Sequence, residues 1–252
     1  MDINNTLFIG KFFLEFPELE STNQYALDLL SKSKPSEGTV ISTVNQTAGR
    51  GQMGNSWESN PGENLTLSII FYPHFLHPER QFKLNKAISL GVLEGLEPFV
   101  PQGAWIKWPN DIYADDKKLA GILIQNALSG QRIQSSVAGI GINVNQLYFQ
   151  LNPSATSLRM LRGETCSLQA VRDSLFAAIE KRYLQLRNTE YQTLREEYLN
   201  KMIGYRQWRT YRRRAGPAFS GKITGIDDKG RLLMQHHEIT EAFDLKEIEW
   251  IF

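Results

Sequence analysis

Four segments of the chain repeat apolar residues at the spacing of an amphipathic helix. The first begins after Ser21 and Thr22, whose hydroxyls suit a helix N-cap, and continues through Tyr25, Ala26 and Leu29. The third keeps apolar residues on one face along its whole length. The pattern predicts helices after residue 22 and over residues 82–96, 168–187 and about 190–202.

The segments between these helices are rich in β-branched and apolar residues, as strands are. The pattern predicts strands over residues 39–44, 65–71, 104–107, 118–126 and 134–143. The fold class is therefore mixed α+β, with a sheet of mainly sequential strands. After Gly204, which ends the helical pattern, short alternating runs separated by glycine-containing turns predict a small β-barrel. We expect two domains, residues 1–203 and 204–252.

Composition and charge narrow the class of protein. The 252 residues are 41% apolar and 22% charged, enough for one substantial core and a small second domain. Twenty-eight basic residues balance twenty-seven acidic ones, so no overall field favours nucleic acid or an anionic membrane. The single cysteine, Cys166, excludes an internal disulfide. Because there is no basic, apolar leader and no run of the roughly 20 apolar residues that a membrane span needs, we expect a soluble, cytoplasmic protein.

A glycine-rich loop between the first two predicted strands is the clearest sign of a ligand site. Gly49-Arg50-Gly51-Gln52-Met53-Gly54 satisfies the G-x-G-x-x-G pattern of dinucleotide-binding folds. Those folds also need a helix that starts inside the motif, and the residues that follow here have no helical period. Arg50 can neutralise a phosphate or carboxylate, and Trp57 can stack on a purine. The loop therefore suits a nucleotide-linked acyl intermediate better than a dinucleotide.

Four separated segments occur in an order and spacing that resemble the biotin protein ligases. They are Ser21-Thr22-Asn23; Gln46 with Gly49-Arg50-Gly51 and Trp57; Lys107-Trp108-Pro109-Asn110-Asp111 with Lys118-Leu119-Ala120-Gly121-Ile122-Leu123; and Gly139-Ile140-Gly141-Ile142-Asn143-Val144-Asn145. Residues 221–227 and 230–233 are similar to the SH3-like domain that ends members of this family. The resemblance covers the chain from about residue 12 to its end.

The resemblance implies both a fold and an activity. The fold is a mixed-sheet catalytic domain of the class II synthetase-like, biotin/lipoate ligase type, followed by a small SH3-like β-barrel. The activity is that of a biotin–[acetyl-CoA-carboxylase] ligase, in which the carboxylate of biotin attacks the α-phosphate of ATP to give biotinyl-5′-adenylate and pyrophosphate. A lysine of a biotin carboxyl carrier protein then displaces AMP and forms an amide. Mg²⁺ is expected to accompany ATP, held chiefly by phosphate oxygens and water.

The same resemblance implies roles for individual residues. Lys118 is the first candidate for stabilising charge on the α-phosphate and the acyl oxygen, with Arg50 and Lys107 as further catalytic cations. The residues expected to bind the ureido head of biotin or to fold over it are Ser21, Thr22, Asn23, Gln46, Gly49, Arg50, Gly51 and Gln52. The residues expected at the nucleotide are Trp57, which would stack on adenine, and Asn110, Gly121, Gly141 and Asn143. Asp111 is the candidate ligand of Mg²⁺, directly or through water.

Two places depart from the pattern of the family. Gln52, Met53 and Asn55 stand where basic residues are common, so Arg50 carries the only charge of the loop. Gln125 stands where an acidic residue is frequent. The first departure bears on how firmly the loop would retain an adenylate.

Other functions stay open at the level of the sequence. Lipoate or octanoate protein ligases and transferases share the catalytic fold, but they resemble this chain less at the loop and lack the C-terminal barrel signature. A biotin-responsive DNA-binding repressor carries a winged helix-turn-helix before the ligase core. Because Ser21 lies only twenty residues from the start, we expect the monofunctional type and no DNA partner.

Two further patterns and one surface property have simpler explanations than a second function. Residues 205–214 interleave aromatic residues and arginines, as single-stranded nucleic-acid sites do, but a solvated face at a domain junction explains them more simply. His74 and His77 flank prolines in a predicted loop without a third ligand, so we expect a surface pair rather than a metal site. Exposed sheet edges would allow a homodimer.

Overall fold

The computed structural model describes residues 6–214 and 216–251, which form five α-helices and two sheets. The helices are α1 (Thr22–Lys32), α2 (Phe82–Leu96), α3 (Leu158–Arg162), α4 (Leu168–Arg187) and α5 (Tyr191–Asn200). At the start of α1, the Ser21 hydroxyl accepts a hydrogen bond from the Gln24 amide. Ser167 caps α4 in the same way, through the amide of Ala170. A serine before an apolar periodic segment thus begins both helices, because its side chain satisfies an amide that has no partner within the helix.

Seven strands form the main sheet, in the order β1-β2-β3-β7-β6-β5-β4. They are β1 (Phe13–Leu19), β2 (Val40–Gln46), β3 (Leu65–Phe71), β4 (Trp105–Lys107), β5 (Asp111–Ala114), β6 (Lys117–Ser129) and β7 (Arg132–Ile142). β1 runs parallel to β2, and the other neighbouring pairs are antiparallel. The predicted mixed sheet is confirmed. Because β3 pairs with β7, early and late segments of the chain become neighbours in the middle of the sheet.

The two faces of this sheet are covered by different helices. α2 and α4 pack over the main core, and two glycines of α2 permit a close approach: an added Cβ at Gly91 or Gly95 would lie 2.7 Å from the Cα of Ile179 or Leu175. α1 lies over the other face, on a smaller cluster that contains Ala26, Ile41, Ile70 and Val137. Strand residues of the two clusters alternate along the chain, as the pleat of a sheet requires.

A second, antiparallel sheet forms the C-terminal part of the chain. Its order is β11-β10-β9-β8-β12, with β8 (Trp208–Arg213), β9 (Ala218–Ile226), β10 (Leu232–His236), β11 (Ile239–Phe243) and β12 (Ile248–Trp250). This sheet confirms the predicted small SH3-like β-domain. It packs on the main domain through Trp108, which is 5% exposed, donates from Nε1 to the carbonyl of Gly230 at 3.0 Å and stacks 6.2 Å from the ring of Trp250.

The sequence pattern locates long elements better than short ones. α2, α4 and β3 span the residues that their periodicity predicts, and the residues before α1 contain β1. The pattern missed β5 and α3, which have four and five residues and are too short to show a period. The last predicted helix ends early, at Asn200. Within the described ranges, no helix combines the length and apolar content that crossing a membrane requires.

Candidate active site

A cavity of about 990 Å³ lies beside β6 and β7, between the glycine-rich loop and the C-terminal sheet. All but one of the site residues predicted from sequence line it: Ser21, Thr22, Asn23, Gln46, Arg50, Gly51, Gln52, Trp57, Lys107, Asn110, Asp111, Lys118, Gly121, Gly141 and Asn143. The exception, Gly49, lies behind this wall, where an added Cβ would meet the backbone of Trp57 and the side chain of Gln46. The four sequence segments therefore meet in one place.

The glycine-rich loop forms a small hairpin in place of the start of a helix. Arg50 and Ser56 form an antiparallel bridge, the Gly51 amide donates to the carbonyl of Asn55 at 2.7 Å, and the Trp57 amide donates to the carbonyl of Gly49 at 2.9 Å. A three-residue 3-10 turn, Gln52–Gly54, closes the tip. Because no helix starts in the motif, the loop lacks the helix N-terminus that holds a pyrophosphate in dinucleotide-binding folds. The prediction against that class is confirmed.

We call one part of the site the polar end; it comprises Thr22, Asn23 and Gln46, which line the cavity, and Ser68, which is buried behind them. The Thr22 amide donates to Gln46 Oε1 at 3.0 Å, and the hydroxyl oxygens of Thr22 and Ser68 are 2.8 Å apart. Ser68 Oγ donates to Asn23 Oδ1 at 2.6 Å, and Asn23 Nδ2 donates to the carbonyl of Leu123 and to Gln125 Oε1. Three of these four side chains are at most 5% exposed, so their hydrogen bonds hold them in fixed positions.

Trp57 lies over a glycine floor formed by β6 and β7. An added Cβ at Gly141 would overlap its indole, and one at Gly121 would lie 3.0 Å from Trp57 Cζ3. Gly121 and Gly141 are register partners in the sheet, so both glycines lie under the same ring. The Trp57 Nε1 is buried and has no hydrogen-bond partner among the described residues. Only glycine leaves room for the ring at this depth.

We call the neighbouring part of the cavity the cationic end; it comprises Trp57, Lys107, Asp111, Lys118 and Asn143. Lys118 Nζ lies 2.8 Å from Asp111 Oδ2 and 5.7 Å from the centre of the Trp57 ring. Lys107 Nζ donates to the hydroxyl of Tyr113 at 3.1 Å. Burial lowers the pKa of Lys107; Asp111 offsets part of this effect and Lys118 adds to it. Glu249 acts on Lys107 as well, but the charged residues that line the cavity are mostly basic: Arg50, Lys107, Lys118, Arg214 and Lys246 against Glu58, Asp111 and Glu249. This excess of positive charge suits an anionic ligand.

The two predicted asparagines use their amide nitrogens to hold backbone. Asn110 Nδ2 donates to the carbonyl of Ile122, and Asn143 Nδ2 donates to the carbonyl of Thr156 at 2.9 Å. Asn143 Oδ1 is buried without a partner among the described residues. A buried oxygen of this kind is costly unless something donates to it, so Asn143 can receive a hydrogen bond in the cavity.

The C-terminal domain supplies part of the cavity wall that sequence reasoning missed. Its contributors are Arg214, Leu245, Lys246, Ile248, Glu249 and Trp250. Lys107 Nζ lies 5.5 Å from the centre of the Trp250 ring, which joins the two domains at the cationic end. These residues lie about one hundred positions or more after Lys107 in the chain, and no local pattern links them to it.

Of the two patterns set aside at the level of the sequence, only Arg214 reaches this cavity. His74 Nδ1 contacts the carbonyl of Ile133 at 3.0 Å, and the described residues contain no group of three or more metal-binding side chains. In the segment 205–214, Trp208 is 53% exposed, and of this segment Arg214 alone lines the cavity. The expectation of a surface histidine pair is consistent with this arrangement.

Comparison with known proteins adds independent support for the fold and the family. Residues 15–143 match the biotin/lipoate A/B protein ligase family. The chain is 33% identical over 238 residues to the bifunctional ligase/repressor BirA of Bacillus subtilis, covering 92% of this chain and 72% of that protein. It is 30% identical over 217 residues to the biotin–[acetyl-CoA-carboxylase] ligase of Mycobacterium tuberculosis, covering 85% of this chain and 79% of that one.

A solved structure shares nearly the whole fold. The biotin protein ligase from Aquifex aeolicus in complex with biotin and ATP superposes with a TM-score of 0.78 at 26% identity, covering 95% of this chain and 98% of that one. The mixed sheet and the C-terminal sheet are thus shared with a biotin protein ligase. The chain belongs to the biotin/lipoate A/B protein ligase family, in its biotin protein ligase branch.

Proposed function

We propose that this protein is an ATP-dependent ligase that forms biotinyl-5′-adenylate and transfers biotin to a lysine of a biotin carboxyl carrier protein. The observation that carries the proposal is that one cavity contains two binding regions of different chemistry. A polar end whose side chains are held by hydrogen bonds suits a ureido group, and a cationic end with an aromatic ring suits a nucleotide phosphate. An acyl-adenylate needs both within one continuous space.

The polar end supports recognition of the biotin head. Thr22 and Gln46 lie in the cavity wall and present short polar groups beside the glycine floor. Ser21 and Asn23 flank them, and Gly51 and Gln52 lie above them in the loop. A ureido group buried there exchanges its water contacts for these hydrogen bonds, so the apolar rings of biotin can enter the slot without leaving its polar head unpaired.

The cationic end supports the chemistry at the α-phosphate. In the first step the carboxylate oxygen of biotin forms a bond to phosphorus, and pyrophosphate leaves. Lys118 and Lys107 are positioned to stabilise negative charge that grows on the phosphoryl oxygens, and Arg50 can close over the intermediate from the loop. In the second step the carrier amine attacks the acyl carbon and AMP leaves. Keeping water away from the mixed anhydride is the role we assign to the loop.

The residues around Trp57 fit the nucleoside. An indole held on Gly121 and Gly141 offers a rigid face to adenine, and the free acceptor of Asn143 can bind an N–H or O–H of the nucleotide. Asp111 fits Mg²⁺ through the carboxylate oxygen that Lys118 does not hold, since Mg²⁺ in such sites takes one or two carboxylates besides phosphates and water. When bound, the ion would neutralise phosphate charge.

The wider setting of the reaction belongs to the same proposal. We place the boundary between a catalytic domain, residues 1–203, and a C-terminal domain, residues 204–252, because α5 ends at Asn200 and β8 begins at Trp208. A carrier domain is the macromolecular partner. We propose that the reaction takes place in the cytoplasm, where ATP is supplied and where a chain with one cysteine needs no disulfide.

The test uses the full chain with a purified, unmodified biotin carboxyl carrier domain. We expect that biotin, ATP and Mg²⁺ together convert the carrier to a species heavier by one biotinyl group, detected by mass spectrometry, and that omission of ATP prevents this. Lipoate in place of biotin is the control for ligand class. No adduct under turnover conditions, or an equal adduct with lipoate, would overturn the proposal.

A further inference from the structure

The buried hydroxyls at the polar end can be assigned as donors or acceptors by counting hydrogens. A serine or threonine hydroxyl carries one hydrogen and two lone pairs, whereas a carbonyl oxygen only accepts. Ser68 is completely buried on β3, and it lies behind Thr22 and Asn23. Its contacts belong to a series of hydrogen bonds that begins at a backbone carbonyl. The direction of each hydrogen bond in the series therefore follows from the direction of the one before it.

The first link is the amide of Asn23. Its Nδ2 lies 3.3 Å from the carbonyl oxygen of Leu123, which can only accept, and 3.0 Å from Gln125 Oε1. This pins the nitrogen toward β6, so the oxygen Oδ1 must face Ser68 at 2.6 Å. Gly139 keeps the amide in place, because any Cβ there would overlap Asn23 Oδ1. The two N–H groups of Asn23 are thus used inside the protein.

The second link is the single hydrogen of Ser68. Asn23 Oδ1 cannot donate, so the short contact between them uses the Ser68 hydrogen. The contact between the Ser68 and Thr22 hydroxyls, at 2.8 Å, must then use the hydrogen of Thr22. The Thr22 hydroxyl also lies 3.3 Å from Gln46 Oε1, but this contact is longer and therefore weaker than the hydrogen bond to Ser68. The Thr22 hydroxyl is left with lone pairs for the cavity.

The neighbouring amide has the opposite polarity. The Thr22 backbone N–H donates to Gln46 Oε1 at 3.0 Å, which fixes the oxygen of Gln46 toward α1 and leaves its Nε2 as the donor. Both residues line the cavity. The polar end therefore offers one acceptor and one donor side by side, which is the complement of an N–H next to a C=O.

We propose that Ser68 is a positioning residue that sets this polarity. Its hydroxyl donates to Asn23, so its oxygen accepts a hydrogen bond from the Thr22 hydroxyl. Thr22 is thereby left as an acceptor for a ureido N–H of the substrate. The inference rests on the proposed function, since it states how that site selects a cyclic urea. Ser68 does not touch the substrate. It acts by preventing the Thr22 hydroxyl from turning its hydrogen into the cavity.

The test compares biotin with its two cyclic carbamate analogues, in each of which oxygen replaces one ureido N–H. Binding to the full chain is measured by calorimetry. For the wild type we expect at least one analogue to bind about a hundredfold more weakly than biotin or worse, because two acceptors then face each other. In Ser68→Ala the Thr22 hydroxyl is free to donate to the ring oxygen, so we expect the ratio for that analogue to fall below about tenfold.

Ser136→Ala is the matched control. Ser136 is also completely buried in the same sheet, and its hydroxyl also donates to an asparagine oxygen, Asn126 Oδ1, at 2.6 Å. Neither serine lines the cavity, but Asn23, the partner of Ser68, does and Asn126 does not. We expect Ser136→Ala to keep the wild-type ratio. Ser68→Cys keeps the side-chain volume with a weak donor and serves if Ser68→Ala does not fold, as judged by thermal unfolding.

The outcomes separate the two levels of the proposal. If the wild type does not bind biotin, the proposed function fails. If it binds biotin and binds both carbamates as tightly as biotin, the assignment of Ser68 is wrong while biotin binding stands. The same holds if the Ser68 variants keep the wild-type ratio of carbamate to biotin affinity. Parallel weakening of biotin and both analogues would indicate general damage to the polar end and would also overturn the role of Ser68.

Discussion

At the polar end of the cavity, Thr22, Asn23 and Ser68 bind one another and are at most 5% exposed, whereas at the cationic end the side chains of Lys118 and Asp111 are 23% and 26% exposed. The polar end satisfies its buried groups within the protein. The cationic end leaves Trp57 Nε1 and Asn143 Oδ1 without partners among the described residues. One end is organised before a ligand arrives, and the other keeps charge and hydrogen-bonding capacity for it.

The difference follows from how each end is built. The polar end is assembled from α1, β2 and β3, which meet inside one domain through backbone register. The cationic end is assembled from β4, β5 and β6 together with a wall from the C-terminal sheet. A site closed by two domains and a loop can adapt to a charged intermediate, whereas a site inside one sheet is rigid.

The largest expected effect comes from removing the central cation. Lys118→Ala should slow adenylate formation by about 10²- to 10³-fold, because a fixed group that stabilises transition-state charge contributes that much. Pyrophosphate release measures this step. Lys117→Ala is the control, since its exposed side chain lies one residue earlier on the same strand. Adenylation within a few-fold of wild type would refute the role of Lys118.

The next effect concerns a buried lysine between α2 and the C-terminal sheet, outside both ends of the cavity. Lys86 on α2 is 8% exposed, lies 5.4 Å from the ring of Phe82, and is surrounded by the charges of Arg195, Lys83, Asp227 and Asp228. Burial lowers its pKa to about 8, with Arg195 the next cause. The folded state therefore binds fewer protons than the unfolded state from about pH 8 to about pH 10, so stability should rise with pH there.

Lys86→Met removes the cost of burying this charge. At pH 7, where the cost is present in full, the free energy of unfolding should rise by up to roughly 3 kcal/mol, and the gain should fade between the folded pKa of about 8 and the unfolded pKa of about 10.4. Urea unfolding at pH 7 and pH 10 measures it. Lys83→Met, on the same helix, should gain less. An equal gain at both pH values would contradict the linkage.

A smaller effect should separate the two ends directly. Gly141→Ala forces the Trp57 ring off its floor, so KM for ATP should rise by about tenfold to a hundredfold, the range of lost base–aromatic stacking. Biotin affinity, which depends on the polar end, should change much less. Gly225→Ala is the control, because its Cβ would meet only Leu233 at 3.9 Å. An equal loss of biotin and ATP binding would show that the ends are not independent.

The smallest effect is expected at the loop. Arg50 reaches Gln24 Oε1 at 3.2 Å on the exposed side of the cavity, so Arg50→Ala should speed release of the adenylate by about two- to fivefold, as for exposed charge pairs. The free adenylate is measured with carrier omitted. Arg132→Ala, at the exposed first residue of β7, should have no effect. A change in the release rate beyond tenfold would show that Arg50 binds the intermediate far more strongly than an exposed charge pair does.

The sequence named all five residues of the cationic end and three of the four at the polar end, but neither Ser68 nor the wall that the C-terminal domain adds. Ser21-Thr22-Asn23 and Gln46 precede or end long periodic elements, so their neighbourhood follows from one helix and one strand. Ser68 gave no signal of its own, because a serine in a buried strand is common and its partners lie 45 and 46 positions away. The wall that includes Trp250 depends on a contact between domains, which periodicity does not encode.

The sequence by itself determined the elements, the α+β class and the residue types that an acyl-adenylate site requires, because periodicity, caps and glycines act over a few residues. The tertiary structure decided which of these residues face one another. It brought Gly121 under the same ring as Gly141, placed the Ser68 hydroxyl 2.8 Å from that of Thr22, and closed the cationic end with a second sheet. The physical reason is that strand register and domain packing bring together residues that are far apart in the chain. The direction of a hydrogen bond and the local charge depend on these spatial neighbours.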